Sequence, residues 1–114
     1  MKRTELYKLL QSAGLHSQYL GYEYFADAVW LAAKDPARLH NMRRDIYLPV
    51  AALHQVSCSS VERDIRTIRD VLYRHTPADF FRSLGLPPLW QHSQPYPREC
   101  IALFADYLAR LPKS

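Results

Sequence analysis

VAALHQVSCSSVERDIRTI, running from Val50 to Ile68, spaces small, apolar and basic residues as a helix-turn-helix requires. Ala51 is the small residue at which two helices can cross closely, Val56 and Ser57 supply the turn, and Val61 and Ile65 fall where a second helix anchors to a core. Ser59 and Glu62 form an S-x-x-E capping box, in which each side chain satisfies an orphan backbone N–H of a first helical turn. The second helix is therefore predicted to begin at Ser59 or Ser60. If it runs to about His75 at ~100° per residue, it places Val61, Ile65, Ile68 and Leu72 in one narrow buried arc. Ser59, Arg63, Arg66, Thr67, Asp70 and Arg74 fall on the opposite, exposed face. The N-terminal half of that face is short, polar and arginine-bearing, which fits a major groove. A plainer account makes Glu62/Arg66, Arg66/Asp70 and Asp70/Arg74 simple i,i+4 pairs on a solvated helix, worth only ~0.3–0.5 kcal/mol each. The turn that precedes them favours the DNA-reading account.

Outward from this stretch the chain reads as further helices. Thr4 to Ala13 carries Leu6, Leu9 and Leu10 on one side, with Thr4 as cap and Gly14 placed to end the helix in the left-handed conformation. From Tyr19 or Gly21 to Lys34, Tyr22, Phe25, Ala26, Val29, Trp30 and Ala33 recur at helical spacing, which predicts the central core helix. Its aromatics are core rather than a ligand box. Asp35-Pro36 closes that helix and opens a short one to about His40, the aspartate capping and the proline taking the first helical position. Met42 to Tyr47 and Leu48 to Gln55 follow. Pro49, which lacks an N–H, sets either the start or a kink of the helix that carries Ala51. Thr76-Pro77 repeats the cap-then-proline device before a helix from Pro77 to Leu84, stopped by Gly85, with Phe80, Phe81 and Leu84 inward. Pro87, Pro88, Pro95 and Pro97 forbid a long helix in LPPLWQHSQPYP, which is expected to be a loop pinned to the core by Leu89, Trp90 and Tyr96. Arg98 to Leu111 closes the chain as a helix with Ile101, Phe104, Ala105 and Leu108 inward. No segment reads as a strand. The expected fold is all-α: a compact bundle of about six to seven helices with the helix-turn-helix at its centre.

With 114 residues and 48 % hydrophobic composition, the chain can bury one core and is too short for two ordinary domains, so residues 1–114 are expected to form one domain. Three glycines and no long apolar run argue against a β-sandwich or a membrane span, and Met1-Lys2-Arg3 lacks the apolar stretch of a signal peptide. A cytoplasmic protein is expected, with Cys58 and Cys100 as reduced thiols. The net charge of +4 and a pI near 9.2 permit a polyanionic partner. Positive charge gathers at Lys2/Arg3/Lys8, at Arg43/Arg44 and in the arginines between 63 and 74, where interleaved acids rule out a membrane anchor. His54 and Cys58 are separated by the turn and so would not share a helical face. His16, His40, His75 and His92 are scattered, without the spacing of a zinc site. There is no Gly-rich phosphate loop and no G-x-S-x-G, so no enzyme, no cofactor and no metal site are expected.

The string LGYEYFADAVWLAAKDPARL, followed by IYLPVA and then SSVERDIRTI, resembles the C-terminal effector domain of the sporulation initiation response regulator of spore-forming Firmicutes. That family's pattern runs GYxYLxxAI, DP, LYPxIA and SRVERAIR, and PYPRECIALFADYLARL is similar to its closing helix. The likeness spans about Leu10 to Leu111, and the VER-x-IR core in a fixed frame is its specific part. The resemblance implies an all-α domain of about six helices around a helix-turn-helix, and transcriptional control. In the family the start of the recognition helix reads bases and clamps phosphates; the matching positions are Ser59, Ser60, Glu62, Arg63, Arg66 and Thr67. Glu62, Arg63 and Arg66 keep the family residue. Ser60 stands where the family has a base-reading arginine and Thr67 where it has a histidine, so the target sequence is expected to differ; the family's proline also falls one position earlier, at Leu48. The family protein has an N-terminal phosphoacceptor receiver domain, whereas this chain starts at the effector. With Met1 in place, the expectation is a stand-alone regulator controlled by expression level, a partner or dimerisation. Duplex DNA is the implied partner, with a homodimer on DNA and no membrane. A second reading is a relative that keeps the fold and acts by protein contact, through the Thr76 to Gly85 helix, which resembles the part of the family that meets the RNA polymerase sigma subunit.

Overall fold

A computed structural model describes residues 1–85 and 93–112, and the regular elements among them are all helical. They are α1 (Arg3–Ser12), α2 (Tyr22–Lys34), α3 (Leu48–His54), α4 (Cys58–His75), α5 (Ala78–Ser83) and α6 (Pro97–Arg110), with a 3-10 turn at Pro36–His40 and a π-helical stretch at Arg43–Tyr47 between α2 and α3. As the aromatic spacing predicts, α2 is central, packed between α6 and α4. Its buried surface is wider than the predicted stripe: Asp27, Ala28 and Ala32 are buried as well, whereas Trp30 and Ala33 are only partly so. The core closes on Phe104, which meets Phe25 edge-on at 5.7 Å and Phe81 at 6.2 Å, the arrangement that ring quadrupoles favour.

Caps differ from their sequence signals at both ends of the chain. Thr4 does not cap α1; the Lys2 backbone N–H donates to Glu5 Oε1 at 2.9 Å, so the helix begins one residue earlier. Thr76 does not cap α5 either, because its hydroxyl donates to the Ala13 carbonyl at 2.6 Å and ties the end of α4 to the end of α1. Tyr96 is 72 % exposed rather than packed on the core, and the two residues before it are held by Arg69 Nη1 on the Pro95 carbonyl (3.0 Å) and by Gln94 on Asp70. Leu89 and Trp90 lie outside the described residues. Gly14 (φ +92°) ends α1 in the left-handed conformation, and Asp35 Oδ1 accepts from the Ala37 N–H at 3.2 Å, both as predicted.

The π-helical stretch has a chemical cause. Pro49 has no N–H to give to the carbonyl four residues back, that of Asp45. This carbonyl accepts from Arg38 Nη1 at 2.8 Å instead, so the backbone group is satisfied from the 3-10 turn. Farther along, α3 is bolted to the bundle by Asp27. This carboxylate, only 5 % exposed, takes Arg3 Nη2 of α1 on Oδ1 and His54 Nε2 of α3 on Oδ2, each at 2.5 Å. Arg3 also lies over the Trp30 ring (5.0 Å), and His54 meets the Tyr24 ring edge-on (4.9 Å).

Candidate nucleic-acid interface

The turn between α3 and α4 forms where Gln55 adopts φ +57°, and the Val56 N–H closes it on the Ala51 carbonyl at 3.0 Å. Ala51 is buried where α3 meets α4, in the role its size predicts. Ser57 is the N-cap: its backbone is extended (ψ 152°), its Oγ accepts from the Ser60 N–H at 3.1 Å, and its hydroxyl donates to Ser60 Oγ at 2.9 Å. The helix therefore starts at Cys58, and the box predicted from Ser59 and Glu62 does not form. Glu62 turns its carboxylate elsewhere, to Arg43 Nη1 (3.5 Å) and the Cys58 thiol (3.8 Å). The rotational frame of α4 is nevertheless as predicted, with Val61, Ile65, Ile68 and Leu72 fully buried.

On the outer face, Ser59, Arg63, Arg66 and Arg74 are exposed, while Ser60, Glu62, Thr67 and Asp70 are partly buried. Arg63 has a side chain 67 % exposed and donates from Nε to Asp64 Oδ1 at 3.2 Å. Arg66 and Arg74 make no hydrogen bond or ion pair with the described residues. The Thr67 hydroxyl folds back onto the Arg63 carbonyl at 3.3 Å. The i,i+4 pairs of the plainer account are not formed, because Glu62 pairs with Arg43 and Asp70 with Arg69 (2.9 Å). The acids of α4 are thus engaged sideways, and its outward arginines keep their charge toward solvent.

Three neighbours of this face are not evident from the turn motif. Arg43, 65 % exposed, is carried beside Glu62 by the π-helical stretch, whose geometry follows from Pro49 and Arg38 rather than from any local pattern. Asp64 is buried, and the signal for it was present, since position 64 lies three residues after Val61 on the flank of the buried arc. Tyr47 packs beneath α4. Burial pushes its phenol up to about 12, and the Glu62 charge adds to the effect. His54 and Cys58 do not meet: His54 holds Asp27 and Cys58 faces Glu62. Cys100 is a free thiol that burial pushes up to about 12. Among the described residues no cluster of three or more histidine, cysteine or carboxylate side chains could hold a metal ion, and no helix is long and apolar enough to cross a membrane.

A helix capped after a tight turn, rotated by its core so that Arg63, Arg66 and Arg74 face out, is the arrangement of helix-turn-helix DNA-binding proteins. The family model described as sporulation initiation factor Spo0A C terminal matches residues 6–108, from α1 into the last turns of α6. The chain belongs to that family, a DNA-binding effector-domain family of sporulation regulators rather than a family of enzymes.

Proposed function

We propose that the protein controls transcription by inserting the N-terminal half of α4 into the major groove, with Arg63 and Glu62 meeting base edges and Arg66 holding a phosphate. Ser59, Ser60 and Thr67 complete the contact surface, and Arg43 reaches the flanking phosphates once they compete with Glu62 for its guanidinium. The observation that supports this most is the outward setting of Arg63 and Arg66 on a helix whose rotation is fixed by Val61, Ile65 and Ile68. Two copies on a two-fold operator fit the way such helices read half-sites. A regulator of this kind works beside the chromosome, in the cytoplasm.

Fluorescence anisotropy with duplexes selected from a random library tests the proposal. The logarithm of affinity is expected to fall linearly with that of salt, by ~0.9 per phosphate neutralised. Arg66→Ala and Arg43→Ala should each reduce the slope by about one across all sequences, whereas Arg63→Ala should remove ~1–3 kcal/mol of discrimination at one base pair. If no duplex is bound even at low salt, the groove reading falls. Contact between the Thr76 to Gly85 region and the RNA polymerase sigma subunit then takes its place.

A further inference from the structure

The geometry points to Asp64 as a positioning residue that holds the Arg63 guanidinium in a base-reading orientation before DNA arrives. This inference rests on the proposed entry of α4 into the groove. Adjacent residues on a helix do not face one another, so Arg63 must fold back along the helix to reach Asp64. It does so through Nε alone, at 3.2 Å, which leaves both terminal nitrogens without a partner among the described residues. Those two nitrogens are the fork that fits guanine O6 and N7.

Asp64 is suited to the task because it is itself fixed. It is 8 % exposed, and its backbone lies against Gly21, in the connection between α1 and α2, so closely that a Cβ there would sit 2.2 Å from the Asp64 carbonyl oxygen. An anchored carboxylate removes rotamer freedom from Arg63 in the free protein, so less is lost on binding. Its negative charge also lowers attraction to phosphates of any sequence. Holding the fork raises discrimination, whereas repelling the backbone lowers affinity for every duplex alike. Loss of Asp64 should therefore weaken the specific complex while leaving non-specific binding equal or stronger, whereas a merely structural role would weaken both alike.

The full chain is measured as wild type, Asp64→Asn, Arg63→Ala and the double variant, on a library-selected duplex and a scrambled one, with urea melts alongside. Asp64→Asn, which keeps the shape and removes the charge, is expected to lower the specific-to-nonspecific ratio about 5- to 10-fold. In the Arg63→Ala background the same change should have no further effect. A ratio unchanged by Asp64→Asn while Arg63→Ala lowers it overturns the role of Asp64 and leaves the groove reading standing. A wild type that binds no duplex removes the groove reading itself. A further readout needs neither DNA nor a variant: in the free wild type, the Arg63 Nε–H nuclear magnetic resonance signal should be protected from solvent exchange relative to those of Arg66 and Arg74. Equal exchange at all three overturns the proposal.

Discussion

Replacing Gly21 by alanine tests how α4 is held in place. Gly21 sits at φ +87°, where an L side chain costs ~1–2 kcal/mol. A stiffer unfolded chain returns ~0.4–1 kcal/mol of this. Gly14 has nearly the same φ, +92°, but nothing lies within 4 Å of where its Cβ would be. Gly14→Ala should therefore show the backbone cost alone, about 1 kcal/mol. At Gly21 the new methyl would meet the Asp64 carbonyl oxygen at 2.2 Å and its carbon at 2.6 Å, both main-chain atoms of α4 that no rotamer change can move. Displacing that helix adds ~1–3 kcal/mol, the usual scale of overpacking, for a total of roughly 2–4. Urea unfolding of both variants by circular dichroism gives the difference, provided the slope with denaturant is unchanged. If the two variants agree to within about 0.5 kcal/mol, α2 does not begin against the backbone of Asp64, and the account of what fixes α4 is wrong.

Ile65→Ala removes a fully buried side chain from the inner arc of α4 and should destabilise the protein by ~2–5 kcal/mol; a urea shift under about half a kcal/mol would mean that the helix is rotated differently. The Cys100 thiol stays protonated in the folded protein up to about 12, against about 9 when unfolded, so its contribution is complete below pH 9 and is lost as pH rises from 9 to 12. Unfolding free energies measured along that range should decline by up to ~1.4 kcal/mol per unit from this group, less steeply in Cys100→Ala, and equal slopes would exclude it as the source. In the native protein iodoacetamide should label the half-buried Cys58 and spare Cys100, which peptide mass mapping checks. Ser60→Arg should sharpen preference at one base position of a family-type operator by ~1–3 kcal/mol, and no selective change in a single-position operator scan would refute the placement of that residue.

The parts of this fold that could be read from sequence are those set by helical periodicity. The buried arc Val61, Ile65, Ile68 and Leu72, and the inward set of α6, follow from spacing alone because burial selects the same face over several turns. Caps were less legible. Ser57, Ser59 and Ser60 are chemically equivalent candidates, and what chooses among them is the extended backbone at Ser57, which the turn imposes. Thr76 carries a correct capping signal, but a carbonyl 63 residues away takes its hydroxyl. Of the proposed contact residues, Arg63, Arg66 and Ser59 lie where the helical wheel puts them. Arg43 was legible only as charge, since its place beside Glu62 depends on a backbone distortion settled between Pro49 and Arg38.

That distortion bears on chain length as well as on composition. A π turn holds one residue more than the α turn it replaces. Deleting one residue between Arg43 and Tyr47 would let this turn close as a regular α turn, with the residues on either side keeping roughly their phase about the helix axis. Arg43 would then stay beside Glu62. A relative one residue shorter here can therefore keep the same side chain beside the start of α4, whereas a deletion within the regular turns of α3, with no extra residue to give up, would turn what precedes it by ~100°.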